Sequence, residues 1–260
     1  MTSKLIAEIH GSTGYLVLNA PQRRNALSLD MWQAIPGIIG RFEQDANIRS
    51  IVIRGEGHEA FAAGADISEF ENHRATDDSG KTYDEATHHA TAAIARSHKP
   101  VIAAIRGICF GGGMALAMSC DLRLASDDAK FCIPAAKLGI GYSTAGTTAL
   151  VDRLGPALAA EMLFTARVYS AHEALMRGIV HQIAPVADFD AVVKGYTTML
   201  ANNAPLTVAA AKTAIRAALS NSASEREVAE RAVAACMTSE DYREGRRAFL
   251  EKRRPTFHGR

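Results

Sequence analysis

The sequence predicts an α/β protein with a mainly parallel sheet, followed by a C-terminal helical module. Short apolar runs alternate with helical stretches between residues 51 and 133, and this alternation is typical of βαβ units with parallel strands. From about residue 145 onward, helical patterns dominate. We therefore expect a core over residues 1–200 and a helical module over residues 201–260.

The N-terminal elements follow from periodicity and turn residues. Residues 5–9 and 15–18 are apolar or alternating runs separated by a glycine-containing turn, which predicts a hairpin. Ser28 is then expected to cap a helix whose apolar residues recur with a period near 3.6, and Pro36 is expected to kink it. Residues 51–53 predict a buried strand.

Further strands are predicted at Val101–Ile105, 122–125 and 131–133. The polar segment 71–91 favours a solvated connection over a lid. Serine and threonine residues followed three positions later by an acidic residue, at Ser224 and Thr238, are capping signals. The three C-terminal helices are predicted at Pro205–Leu219, 224–237 and 239–253.

Composition limits the classes of function. The 260 residues are 48% apolar and carry a formal net charge of +1, so we expect a soluble protein that binds neither nucleic acid nor an anionic membrane surface. No long apolar segment predicts a signal peptide or a membrane span. The four cysteines lie in apolar surroundings without CxxC spacing, which favours reduced thiols, no metal site and a cytoplasmic location.

The run Phe110-Gly111-Gly112-Gly113-Met114 carries the clearest chemical signal. It lies between the predicted strand Val101–Ile105 and a helix-like stretch at 114–119. Glycines let a ligand atom approach main-chain N–H groups, and the N-terminus of the following helix favours negative charge. A second turn of small residues, at 61–67, follows the strand at 51–53 in the same way, so two loops can each present an N–H to one oxygen.

Motifs in a fixed order cover nearly the whole chain: Arg24-Asn25-Ala26-Leu27-Ser28, residues 61–67, residues 99–105, residues 110–113 with Cys120-Asp121, residues 163–165 through 178–180, and residues 249–253. This series resembles the crotonase superfamily, also called the enoyl-CoA hydratase/isomerase family. The resemblance implies a spiral of ββα turns with a C-terminal helical trimerisation module. It also implies a homotrimer or a hexamer of two trimers, and a coenzyme A thioester as substrate, without a separate cofactor.

Carried over residue by residue, the resemblance assigns two oxyanion-hole N–H groups to Ala65 and Gly112. They would hold the thioester carbonyl oxygen as it becomes an enolate, and each such donor is worth about 3–4 kcal/mol of barrier. Because the donors are main-chain groups, these positions do not require a particular side chain.

The resemblance also implies a binding surface for coenzyme A. Ala63, Asp66 and Ile67 lie in the loop that would contact the adenine, while Arg24 and Lys252 are the cations that would meet the phosphates. Without the resemblance, either cation is interpreted as an ordinary solvated surface charge.

The sequence departs from the hydratases of this family where acid–base chemistry is expected. Those enzymes carry two glutamates at the positions of Ala115 and Ala135, and an alanine transfers no proton. Positioned acid–base groups contribute about 10²–10⁴ in rate. The hypothesis is therefore an acyl-CoA lyase or isomerase without the glutamate pair, either a decarboxylase or an atypical hydratase. The alternative is a non-catalytic acyl-CoA-binding protein.

Residues 136–142 and 239–255 resemble the methylmalonyl-CoA decarboxylase branch, although that branch has a histidine in place of Ala65. There, the tyrosine matching Tyr142 lines the acyl pocket, with Ser143 beside it. Tyr142 is thus a candidate catalytic residue, and the alternative is a tyrosine packed on the core. His88 matches a histidine of the dehalogenase branch, and the alternative is an exposed helix histidine.

Overall fold

The computed structural model describes residues 2–66, 77–220 and 222–260, without the side chains of residues 77–80. Within this part of the chain the strands are β1 (Leu5–His10), β2 (Thr13–Leu18), β3 (Ser50–Gly55), β4 (Ala60–Ala62), β5 (Val101–Ile105), β6 (Ile108–Phe110), β7 (Leu122–Ser126), β8 (Lys130–Cys132), β9 (Tyr169–Ser170) and β10 (Gln182–Ala184). The α-helices are α1 (Leu29–Gln44), α2 (Asp77–Arg96), α3 (Gly112–Ser119), α4 (Ala135–Leu138), α5 (Thr144–Leu154), α6 (Pro156–Thr165), α7 (Ala171–Met176), α8 (Phe189–Ala201), α9 (Pro205–Leu219), α10 (Ala223–Thr238) and α11 (Glu240–Leu250).

Two sheets organise the core. The larger has the strand order β1-β2-β3-β5-β7-β10 and the smaller has the order β4-β6-β8-β9. The pair β1-β2 is the predicted antiparallel hairpin, and β8-β9 is also antiparallel. All other pairs are parallel, so the prediction of a mainly parallel α/β fold is confirmed.

Successive turns of the chain repeat one pattern. Each adds a strand to the larger sheet, then a strand to the smaller sheet, and then a helix, as in β5-β6-α3 and β7-β8-α4. This is the predicted ββα spiral. Because β4 and β6 are parallel neighbours, with Ala60 opposite Ile108, the chain leaves both strands at the same edge of the smaller sheet. The two predicted small-residue loops therefore emerge side by side.

Helix α1 differs in detail from the prediction. Its apolar face is buried as expected, but the Ser28 side chain accepts no capping hydrogen bond. The Ser28 hydroxyl instead donates to Asp30 and accepts from Lys4 Nζ at 3.0 Å. Pro36 lies within one continuous helix.

Helix α2 corrects the prediction of a solvated connection at 71–91. Residues 77–91 belong to this helix, and residues 71–76 lie outside the described part of the chain. Tyr83 and Ala90 are buried in the main core. The sparse apolar residues of this helix explain why periodicity did not reveal it.

The three predicted C-terminal helices are present as α9, α10 and α11, and α9 has the predicted bounds. The capping positions were wrong by one or two residues. The side chains of Ser222 and Ser239 accept from the amides of Glu225 and Tyr242, because these serines have the extended backbone that a capping residue needs. Trimerisation through this module stays a prediction.

A partly buried ion pair joins the helical module to the larger sheet. Asp121 Oδ2 accepts from Lys212 Nζ at 2.7 Å and from the amide of Val101 at 2.8 Å. Lys212 Nζ also donates to the carbonyl of Lys99. The start of β5 and helix α9 are therefore held by one carboxylate. In the described part of the chain, each helix is too short or too polar to cross a bilayer.

We expect folding stability to decrease below about pH 6.5 because of His181. Its Nδ1 accepts from the amide of Arg123 at 3.0 Å, and burial, with the charge of Arg123, lowers its pKa. The unfolded chain, with a histidine pKa of about 6.5, then binds the proton more readily than the folded chain. The contribution of neutral His181 to folding stability is complete above about pH 6.5. It is lost as the pH falls toward the lower pKa that His181 has in the folded chain.

Thermal unfolding measured from about pH 8 to about pH 5 checks this expectation, since the histidine pKa lies in that window. His181→Gln keeps an acceptor for the Arg123 amide but does not titrate. The wild type should lose more stability than this variant over the range. Parallel pH profiles would contradict it.

Candidate active site

The backbone of Ala65 is oriented by a bridge to Leu27. The amide of Leu27 donates to the carbonyl of Gly64 at 2.8 Å, and the amide of Asp66 donates to the carbonyl of Leu27 at 3.0 Å. In a parallel bridge of this kind, the groups that bond to the partner belong to the residues on either side of the bridged one. The N–H of Ala65 therefore points away from Leu27.

Asn25 holds the loops on which this bridge depends. It is buried, with a left-handed backbone of φ 55°. Its side-chain NH₂ donates to the carbonyls of Glu56 at 3.0 Å and Ala60 at 2.7 Å, while its side-chain oxygen accepts from the amide of Ala20 at 3.0 Å. Asparagine adopts this conformation more readily than most residues, so one side chain joins three loop segments.

The second amide belongs to Gly112, the first residue of α3. The preceding Gly111 has φ 49° and donates its N–H to the carbonyl of Cys132 at 2.9 Å, which ends the small-sheet ladder and turns the chain. The first N–H groups of a helix have no partner within that helix. The amide of Gly112 is thus presented at the positive end of a helix dipole.

The two amides lie close together. A Cβ built on Gly112 would lie 3.4 Å from the nitrogen of Ala65, and one built on Gly64 would lie 3.9 Å from the nitrogen of Gly112. Neither amide donates a hydrogen bond to any residue in the described ranges. Two donors this close can bind a single oxygen atom. The oxyanion-hole role of Ala65 and Gly112 stays a prediction, with which this geometry agrees.

Both amides open onto a cavity of ≈ 170 Å³ between the two loops, α2 and the segment before α5. Its described lining is largely apolar. The lining residues are Trp32, Ala63, Gly64, Ala65, Tyr83, Asp84, Thr87, Gly111, Gly112, Ala115, Ile133, Pro134, Ala135, Leu138, Ile140, Gly141, Tyr142 and Ser143.

Ala115 and Ala135, the positions where the family's hydratases carry glutamate, both line this cavity. Among its described lining residues there is no Glu, His, Lys or Arg, and Asp84 supplies the one carboxylate. Among the described lining residues, the Asp84 carboxylate and the hydroxyl groups are the side-chain groups that could transfer a proton.

The ring of Tyr142 forms part of the cavity wall and packs against Gly146, where a Cβ would lie 2.8 Å from the ring. Its hydroxyl oxygen is buried and makes no hydrogen bond with the described residues. Burial, with a smaller contribution from the Cys109 thiol, raises the pKa of Tyr142 to about 12. This phenol stays protonated at neutral pH. Ser143 caps α5, its hydroxyl accepting from the amide of Gly146 at 3.1 Å.

The residues predicted to contact coenzyme A are separated by the structure. Ala63 lines the cavity, and the Asp66 carboxylate pairs with Arg23 at 2.6 Å. Arg24 and Lys252 are exposed, have left-handed backbones and do not line the cavity. Ile67 lies outside the described residues. The binding roles of these five residues stay predictions.

Helices α1 and α2 supply lining residues that the sequence alone did not reveal. Trp32 Nε1 donates to the Tyr83 hydroxyl at 2.8 Å, and that hydroxyl donates to the carbonyl of Leu27 at 3.2 Å. These two hydrogen bonds hold α2 against the β-bridge between Leu27 and Ala65, which orients the Ala65 amide. The i, i+4 spacing of Tyr83 and Thr87 was the available signal. His88 is exposed and does not line the cavity.

Comparison with known proteins agrees with the fold and the motif order. The family described as enoyl-CoA hydratase/isomerase matches residues 8–260. A short-chain-enoyl-CoA hydratase of Clostridium acetobutylicum is 32% identical over 253 residues, covering 97% of this chain and 96% of that protein. A carnitinyl-CoA dehydratase of Proteus mirabilis is 34% identical over 265 residues, covering 100% of both chains.

Among solved structures, a putative enoyl-CoA hydratase/isomerase family protein from Hyphomonas neptunium is 38% identical, with a TM-score of 0.94, and covers 99% of this chain and 98% of that chain. An enoyl-CoA hydratase/carnitine racemase from Magnetospirillum magneticum has the same TM-score at 32% identity, covering 100% of this chain and 97% of that chain. With two adjacent amides at the start of α3 and after β4, and with similarity along its whole length, the chain belongs to the enoyl-CoA hydratase/isomerase family, the crotonase superfamily.

Proposed function

We propose that this protein is an acyl-CoA lyase that stabilises a thioester enolate with the amides of Ala65 and Gly112 and works without the hydratase glutamate pair. The observation that supports this most is the cavity itself. It combines two adjacent amide donors with alanine at both glutamate positions. The donors favour charge on the thioester oxygen, while the alanines make two-glutamate hydration unsuitable.

Decarboxylation of a short malonyl-type thioester suits this cavity best. The bond between the α-carbon and the carboxylate carbon breaks, CO₂ leaves, and the electron pair remains on the α-carbon as an enolate whose oxygen takes up the charge. No base is needed. The described lining offers no cation to a carboxylate, so an acyl carboxylate there is destabilised relative to neutral CO₂.

Tyr142 is proposed to orient the departing carboxylate or to donate a hydrogen bond near the α-carbon. Because its raised pKa keeps it protonated, it is a donor rather than a base at neutral pH. A proton from solvent or from a cavity hydroxyl then completes the product at the α-carbon. Ser143 lies beside it, with its oxygen engaged in the helix cap.

Two purified-enzyme assays test the proposal. Methylmalonyl-CoA and crotonyl-CoA are supplied separately, with CO₂ release and loss of enoyl absorbance as readouts. We expect CO₂ release from the first and little hydration of the second. Hydration of crotonyl-CoA without any turnover of methylmalonyl-CoA would overturn the decarboxylase version in favour of an atypical hydratase.

The atypical hydratase is the second candidate, favoured by the Asp84 carboxylate on the cavity wall and by the names of the relatives. Tight coenzyme A binding without product from a broad thioester panel would instead favour a non-catalytic acyl-CoA-binding protein.

In the proposed enzyme, Arg24 and Lys252 meet the phosphates of the substrate, and no further cofactor takes part. We also propose a homotrimer or a hexamer and a cytoplasmic location.

A further inference from the structure

Two residues that line this cavity, Thr87 and Tyr142, each have a buried hydroxyl group that makes no hydrogen bond with the described residues. A buried hydroxyl without a partner is costly to a folded protein, and such groups in native structures are generally satisfied by a side chain, water or ligand. Because both residues line one cavity, a ligand atom bound there could supply the missing partner.

Thr87 lacks a hydrogen bond that five other helical threonines make. A threonine inside a helix can donate its hydroxyl to the carbonyl four residues earlier, which would be Tyr83 for Thr87. Five other threonines do so: Thr91 to Thr87, Thr147 to Ser143, Thr148 to Thr144, Thr165 to Glu161 and Thr213 to Ala209, at 2.7–3.0 Å.

The position of Thr87 is fixed by its neighbour one turn earlier. Tyr83 is buried and bonded to both Trp32 and the carbonyl of Leu27, so the face of α2 that carries both residues is held against the cavity. Thr87 is therefore placed as part of a rigid wall and not as a surface residue that happens to lie near it.

We infer that Thr87 is a specificity-determining residue, and that its hydroxyl and the Tyr142 hydroxyl form a polar subsite for an oxygen atom on the acyl group of the substrate. This inference rests on the proposed function and names its substrate class. Each hydroxyl can donate one hydrogen bond, and the remaining described wall is largely apolar, so the subsite fits an oxygen atom such as that of a carboxylate or a hydroxyl. Thioesters with plain hydrocarbon chains leave both hydroxyls without a partner.

Thr87→Val tests the inference because valine has nearly the same shape and lacks the hydroxyl, while Thr87→Ser retains it. Dissociation constants are measured for butyryl-CoA, which lacks an acyl oxygen substituent, and for 3-hydroxybutyryl-CoA. KM is measured for methylmalonyl-CoA, which carries a carboxylate. We expect Thr87→Val to weaken binding of one or both oxygenated thioesters about three- to tenfold and to leave butyryl-CoA unchanged, with Thr87→Ser close to wild type.

The thermal unfolding midpoint of the ligand-free variants supplies a second readout. If Thr87 had only a structural role, Thr87→Val would lower the midpoint and weaken all three thioesters alike. Loss of an unpartnered hydroxyl should instead leave the midpoint unchanged or raise it. Equal effects on all three ligands would overturn the inference, as would no effect on any.

The experiments distinguish failure of the proposed subsite from failure of the proposed decarboxylase activity. A wild-type protein that prefers the oxygenated thioesters but releases no CO₂ would support the subsite and count against the decarboxylase. A wild-type protein that releases CO₂ while Thr87→Val keeps the wild-type KM and dissociation constants would support the lyase and overturn the subsite.

Discussion

Replacing Gly112 with proline is expected to lower kcat/KM for any thioester substrate by about 10²–10³, the cost of losing one oxyanion-hole donor. Proline removes the N–H that we propose binds the thioester oxygen. Gly112 is the first residue of α3, a position where proline is well tolerated because its missing N–H has no helical partner. The change therefore removes the donor without breaking the helix.

Gly112→Ala is the matched control. It keeps the N–H but adds the same Cβ, which would lie 3.4 Å from both the nitrogen of Ala65 and the ring of Trp32. The ratio of kcat/KM between the alanine and proline variants thus reports the loss of the N–H together with the proline ring carbon that takes the place of its hydrogen. If steady-state kinetics gave the two variants equal values, the assignment of Gly112 as a donor would be wrong.

Replacing Asn25 with alanine is expected to lower the free energy of unfolding by about 3–4 kcal/mol, since buried groups left without partners cost about 1–3 kcal/mol each. The variant loses the hydrogen bonds to Ala20, Glu56 and Ala60 and places alanine at a φ of 55°, which disfavours a residue with a Cβ. Chemical denaturation followed by circular dichroism measures the change.

Two further variants separate the loss of hydrogen bonds from the backbone strain in Asn25→Ala. Asn25→Gly removes the same hydrogen bonds but tolerates the left-handed backbone, so its difference from Asn25→Ala reports the conformational part. The side chain of Asn19 makes one exposed hydrogen bond, to the carbonyl of Ser3, and Asn19→Ala should change stability by less than about 0.5 kcal/mol. A similar loss in the Asn19 and Asn25 variants would contradict the role given to Asn25.

Local patterns predicted much of the fold. Strand β5 and helix α9 have the predicted bounds because a continuous apolar run and a regular helical period are properties of neighbouring residues. Helix α2 was missed because its buried residues are few and lie among polar ones, so only packing against α1 identifies them. The capping errors at Ser224 and Thr238 have a similar origin, because a capping hydrogen bond depends on the backbone conformation, which the side-chain type does not determine. Ser28 has the extended backbone of a capping residue, but its hydroxyl bonds to Asp30 and Lys4 instead.

The sequence by itself determined that small-residue loops follow two neighbouring strands and that alanine stands at both glutamate positions. Only the tertiary structure decided that the amides of Ala65 and Gly112 lie side by side, and that Thr87 and Tyr142 line the same cavity. Main-chain donors leave no side-chain signature. Their direction is set by hydrogen bonds to distant residues, here Leu27 for the first loop and Cys132 for the second.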